Sequence, residues 1–150
     1  MFSTSVEISV HRPLFEVFTY VADARNHPEW DKRVISEELT SPEPIGVGST
    51  VHTRFRFMGR ELQYDWAVTE YQRSRTMTIQ STSGPVPATL VYDLAPSGYL
   101  TWLRLTVIMR PSGLMRLLQP WLARDTQKTL DRNFSRLRDV LDQSETGHPA

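Results

Sequence analysis

The chain contains no cysteine. Disulfides, thiolate catalysis and cysteine-ligated zinc are therefore excluded, although the absence does not choose between redox compartments. It has only seven glycines, and none falls in a G-x-G-x-x-G or P-loop pattern that would cradle a phosphate. Ser49 follows Gly46-Val47-Gly48, but no glycine follows it, so no nucleophile elbow forms. There is no excess charge of either sign: Lys+Arg and Asp+Glu stand at 17 each, so no global field favours nucleic acid or an anionic surface. There is no long apolar run. The most apolar stretch, Leu100 to Met109, is broken by Arg104 and is too short to span a bilayer. The N-terminus lacks the basic-then-apolar pattern of a signal peptide, and a soluble cytoplasmic protein is the expectation. His11, His27, His52 and His148 lack the i, i+4 spacing of a helical zinc site. No cofactor or metal is expected.

What is present is periodicity. Val6, Ile8 and Val10 alternate with polar residues as in a half-buried strand. Pro13 suits the start of a helix whose apolar face is Leu14, Val17, Phe18 and Val21. The polar cluster before Pro28 ends that helix, and Trp30 falls in the turn that follows. Val34 to Leu39 reads as a short strand. From Val51 onward the period is two: Val51, Thr53, Phe55 and Phe57 share a face, then Leu62, Tyr64, Trp66 and Val68. Met77, Ile79 and Ser81 follow, then Ala88, Leu90, Tyr92 and Leu94, then Thr101, Leu103, Leu105, Val107 and Met109. Trp102 and Ile108 blur the last strand. Short turns between sequential strands imply an antiparallel meander with one packed face.

A helix is predicted from about Pro120 to Asp142, with Leu122, Leu130, Phe134, Leu137 and Leu141 as its apolar stripe. Thr126 interrupts that stripe, and Thr129 and Asn133 flank it. One helix is a small lid for so much apolar sheet, so the pattern predicts a sheet curled around it with space between them, where a small apolar molecule binds. The length suits one domain, residues 1–143, followed by a disordered tail, 144–150.

Three features invite a functional reading, each beside a plainer one. The aromatic set Phe55, Phe57, Tyr64, Trp66 and Tyr92 is either packed core or a pocket wall, the polar tips of Tyr and Trp favouring the wall. Thr126, Thr129 and Asn133 are either satisfied helix positions or polar anchors for a ligand. The basic series Arg124, Lys128, Arg132 and Arg136, interleaved with Asp125, Asp131 and Asp139, is a solvated face rather than a nucleic-acid stripe. His27 and Asp31 at i, i+4 read equally as a surface contact or as an acid–base pair at a pocket mouth. Strand parity puts His52, Asp65 and Asp93 on the outer face and leaves no carboxylate or histidine facing inward. A partner-binding module would need a broad exposed apolar patch, and nothing in the sequence demands one.

Three segments resemble the START-like superfamily of polyketide cyclases, lipid-transfer proteins and Bet v 1-type binders. They are VEISVHRPLFEVFTYVADARNHPEWD; PIGVGSTV with LQYDWAVTEYQRSRTMTI; and VYDLAPSGYLTWLRLTVIMRPSGLMRLLQPWL. The resemblance spans about residues 4 to 142. It implies an α+β helix-grip fold, a curved antiparallel sheet gripping the C-terminal helix around a cavity. One departure is Gly98-Tyr99-Leu100-Thr101, where the family has a glycine-threonine pair, which leaves the register of the last hairpin open. Catalytic residues differ among subgroups of the superfamily, so none is carried over. The implied function is binding of a hydrophobic ligand, with a polyketide cyclase or dehydratase as the alternative. The candidate ligand-binding set is Trp30, Phe55, Phe57, Tyr64, Trp66, Met77, Ile79, Leu90, Tyr92, Leu105, Leu122, Thr126, Thr129 and Asn133. The expected partner is an apolar small molecule, with no nucleic acid and no stable membrane insertion, on a monomer or homodimer.

Overall fold

The computed structural model describes residues 1–146, with side chains to 143. Of the tail expected to be disordered, 144–150, residues 147–150 lie outside the described residues. Strand β1 (Phe2–Val10) leads into α1 (Leu14–Ala22), a short 3-10 turn (Ala24–Asn26) and the single-turn α2 (His27–Trp30). The meander follows: β2 (Val34–Leu39), β3 (Thr50–Phe57), β4 (Arg60–Gln72), β5 (Thr76–Ser83), β6 (Ala88–Ser97) and β7 (Leu100–Met109). A second 3-10 turn (Gly113–Leu118) opens the long helix α3 (Gln119–Thr146). The seven strands form one sheet in the order β1-β7-β6-β5-β4-β3-β2, every pair antiparallel. It curls into a half-barrel around α3, the helix-grip fold.

The alternation in sequence becomes two unlike sheet faces. Val51, Tyr64, Trp66, Val68, Met77, Ile79, Tyr92, Leu103 and Leu105 are buried on the inner face, with Leu130, Phe134, Leu137 and Leu141 of α3 in the same core. Trp102 and Ile108 turn out to alternate normally: both lie on the outer face, where Arg104 stacks over the Trp102 ring at 5.2 Å. The last hairpin closes on a two-residue Gly98-Tyr99 loop with Ser97 opposite Leu100. Gly98 takes φ +62°, which a tight hairpin loop requires. That register points Thr101 inward, where its hydroxyl donates to the Arg12 carbonyl at 2.5 Å.

Polar contacts fix α3 at both ends. The Arg12 side chain donates to the Leu141 carbonyl at 3.0 Å, and the Arg33 guanidinium grips both Asp125 carboxylate oxygens at 3.0 and 3.2 Å. The helix runs to Thr146, a turn beyond the predicted end at Asp142.

The loop between β5 and β6 passes so close to Tyr64 that a side chain at Gly84 has no room. A Cβ there would fall 2.1 Å from Tyr64 Cδ1, and the glycine sits at φ +150°. The ring cannot easily retreat. It stacks between Phe55 (5.4 Å) and Trp66 (4.7 Å), and its hydroxyl donates to the Val86 carbonyl at 2.6 Å. Gly84→Ala should cost about 1–3 kcal/mol, the usual range for overpacking. Urea unfolding measures it, and an unchanged midpoint would mean that the loop moves aside freely.

Candidate functional site

Two features bear on function, and the first is a largely buried polar network. His27 begins α2, and Asp31 caps its end one turn later. Opposite them, Glu37 of β2 points inward. The two His27 ring nitrogens face different carboxylates: Nδ1 lies 2.6 Å from Glu37 Oε2, and Nε2 lies 3.3 Å from Asp31 Oδ2. Only the doubly protonated imidazolium satisfies both. Burial alone would lower the imidazole pKa. Glu37 and Asp31 outweigh it and raise the pKa to about 10. For Asp31, burial pushes upward, but the His27 bond, with help from the Arg33 amide and Asn133, leaves the carboxyl below its ordinary range.

The network continues across the sheet. The Thr53 hydroxyl donates to Glu37 Oε2 at 2.8 Å and accepts from the Trp66 indole N–H at 3.1 Å. Tyr92 completes it: burial, then the charges of Glu37 and Asp31, hold its phenol above the usual range. The two carboxylates take opposite sides of the imidazole. Among the described residues, no group of His, Asp and Glu is placed to hold a metal ion.

Glu37 corrects the expectation that no carboxylate or histidine faces inward. A bulge between Val34 and Ser36 resets the alternation of β2, so Glu37 pairs with the inward Thr53. The signal was present in the sequence: Glu37 and Glu38 are adjacent in a strand, and adjacent strand residues point to opposite faces. One glutamate had to turn inward.

The second feature is a cleft of about 540 Å³ beside α1 and the turn that follows it. Phe15 and Phe18 of α1, Leu39 at the end of β2, Ile45 of the β2–β3 loop and Tyr71 of β4 form its apolar wall, with Asp23, Arg25, Glu38, Glu43 and Arg73 at polar positions around it. Phe18 is itself core, and Leu39, Ile45 and Tyr71 pack against that core. None of the sequence-predicted site residues lines this cleft. No sequence signal marked it, because segments far apart in the chain assemble it.

The predicted residues do not all come together. Phe55, Tyr64 and Trp66 form a continuous stack on the inner face, with Met77, Ile79, Tyr92 and Leu105 buried beside them and Leu90 half-buried against the same core. Trp30 is 2 % exposed and sits between His27 (4.5 Å) and Phe134 (5.8 Å). Asn133 is buried against Asp31. Phe57 leaves these groups: at the end of β3 it meets Trp121 at 6.1 Å and lies under Arg33 at 5.3 Å. On α3, Leu122 is buried and the Thr126 hydroxyl points at Met109 Sδ, 3.9 Å away.

Trp30 Nε1 and Thr129 Oγ1 are buried and have no hydrogen-bond partner. Thr129 lies one turn from Asp125, which holds Arg33, and one turn from Asn133, which holds Asp31. Trp30 belongs to α2, which packs on α3, and Thr129 lies between two α3 residues that hold the segment around α2.

Residues 1–142 match the family model described as polyketide cyclase / dehydrase and lipid transport. The chain belongs to that family. Solved structures agree on the fold. The protein TTHA0849 from Thermus thermophilus superposes with a TM-score of 0.79 at 17% identity, covering 93% of this chain and 96% of its own. A START superfamily protein from Mycobacterium smegmatis gives 0.78 at 15% identity, over 94% and 97%. Ara h 8.0201 gives 0.63 at 12%, over 91% and 97%. No curated protein sequence matches the chain significantly. At such identities the structural likeness carries the fold, and function has to be argued from the site.

Proposed function

We propose that this family member binds an apolar small molecule of lipid, polyketide or aromatic type between the sheet and α3, admitting it through the cleft beside α1. The observation that carries the reading is the continuity of cleft and core: Phe18 belongs to both, and the cleft residues Leu39, Ile45 and Tyr71 pack against the core. A molecule that displaces these side chains passes directly into the interior. The cleft volume lies in the range of small-molecule sites. On this reading the inner wall comprises the aromatic stack and Trp30, and Thr129 and Trp30 supply the hydrogen bonds that orient a ligand oxygen. Buried polar atoms without partners are rare and call for such an explanation.

Titration with a fluorescent naphthalene probe tests the reading. Saturable binding is expected, weakened by Thr19→Trp, which fills the cleft from an exposed position of α1. Thr129→Val should leave stability unchanged or raise it, since an unpaired buried hydroxyl is costly. It should also weaken ligands bearing a carbonyl or phenol by ~0.5–1.5 kcal/mol, the net worth of one hydrogen bond. Equal affinity across oxygenated ligands would remove Thr129 from the site, and failure of Thr19→Trp to alter binding would remove the cleft.

A second reading, cyclisation or dehydration of a polyketide-like substrate, is favoured by one observation: the inward His27–Asp31–Glu37 network with Tyr92 at its edge. An imidazolium with a pKa near 10 is a poor proton donor at neutral pH, so positioning would have to supply most of the rate. Glu37→Gln that abolishes product formation from a poly-β-ketone yet retains binding would establish this reading. Equal turnover with and without protein would dismiss it.

A further inference from the structure

The turn 113–118 lies largely outside the core. None of its residues is buried, and Leu114 and Leu117 are 84% and 79% exposed. Leu118, which ends that turn, and Trp121 at the start of α3 are exposed too, as is Met58 (76%) at the tip of the β3–β4 hairpin. The Phe57–Trp121 ring contact joins these two distant segments into one surface. The sequence did not demand an exposed apolar patch, yet the fold leaves the apolar residues after Pro111 outside the sheet. Contiguous apolar surface of this kind marks an interaction site.

The charge around it narrows the partner. From residue 110 to 124 the chain carries Arg110, Arg116 and Arg124 and no acid, and Arg60 stands beside Met58. Arg60, Arg116 and Arg124 make no ion pair among the described residues, and the nearest carboxylates are engaged: Glu61 by Arg54 at 2.8 Å, Asp125 by Arg33. The chain as a whole is neutral, so this local excess is not a consequence of composition.

We propose that this face docks on an anionic lipid bilayer. Leucine and methionine projecting from a turn and a hairpin tip suit penetration of a fluid layer, whereas a helical peptide would need a groove. Tryptophan at the rim and guanidinium groups around it match the headgroup region. A second copy placed by a two-fold axis would set unpaired arginines against arginines, which disfavours self-association. No helix among the described residues is long and apolar enough to cross a membrane, so docking is peripheral.

Co-sedimentation with vesicles of phosphatidylcholine, with and without phosphatidylglycerol, tests the proposal. Wild-type protein should sediment with the anionic vesicles alone, less so as salt is raised. Leu114→Ser/Leu117→Ser and Arg116→Glu/Arg124→Glu, all at exposed positions, should each weaken binding at least about tenfold without changing the far-ultraviolet spectrum. Absence of sedimentation, or binding unaffected by both variants, overturns the proposal. So does a concentration-dependent dimer that Leu114→Ser/Leu117→Ser dissolves, which would assign the face to a second copy.

Discussion

Replacing His27 by leucine is expected to destabilise the protein by about 3–5 kcal/mol near pH 6, because it leaves Asp31 and Glu37 facing each other with no cation between them. The loss should depend on pH with a definite sign. The imidazole pKa is raised to about 10 from 6.5, so its contribution is complete below 6.5 and is lost as the pH rises towards 10. The Asp31 carboxyl is lowered from 3.8, so its contribution is present above that value and is lost as the pH falls through the lower folded one. The wild-type protein should therefore be most stable between about pH 4 and 6.5 as far as this network is concerned. Its stability should decline steadily above that window, while the leucine variant shows a flatter profile there. Urea unfolding across the pH range measures both curves. A wild-type profile that is flat from pH 6.5 to 10 would show that His27 is not held as a cation. Replacing Asp31 and Glu37 together with His27 by apolar residues should recover part of the loss, as buried ionic groups exchanged for packed hydrocarbon commonly do.

Trp66→Ala is expected to cost about 3–5 kcal/mol, the range for truncating a large aromatic in a packed core. The side chain is 7% exposed and stacks on Tyr64. Its removal also takes from Thr53 the indole N–H that completes the bridge to Glu37. Trp66→Phe separates the two effects: the stack survives, and the loss should fall to ~0.5–1.5 kcal/mol, the net worth of the hydrogen bond. A loss for Trp66→Ala much below the expected range would mean that the stack borders empty space rather than packed neighbours.

The two-residue period from Val51 to Met109 and the apolar stripe of α3 made the sheet, its inner face and the long helix legible in the sequence, because burial on one face leaves a period in the chain. Phe57 shows where parity stops being sufficient. It shares a face with Phe55, but it ends its strand, so its neighbours are Trp121 and Arg33 rather than the inner stack. A bulge shifts the pattern of β2 by one residue, so parity alone misplaces Glu37, and only the adjacent pair Glu37-Glu38 signals that one carboxylate turns inward. The exposure of Leu114, Leu117 and Leu118 could not be read from the sequence either: hydrophobicity reports what a residue would gain by burial, and only the fold decides whether a covering surface exists. The cleft beside α1 depends on α1, the β2–β3 loop and β4 meeting in space, and no local pattern records that meeting.

Native mass spectrometry of the protein purified from its own host tests the central claim most directly. The expected result is a complex heavier than the chain by one small molecule, which is released on denaturation, extracts into organic solvent and is displaced by the naphthalene probe. Protein of bare chain mass that also fails to take up apolar ligands when they are supplied would contradict it.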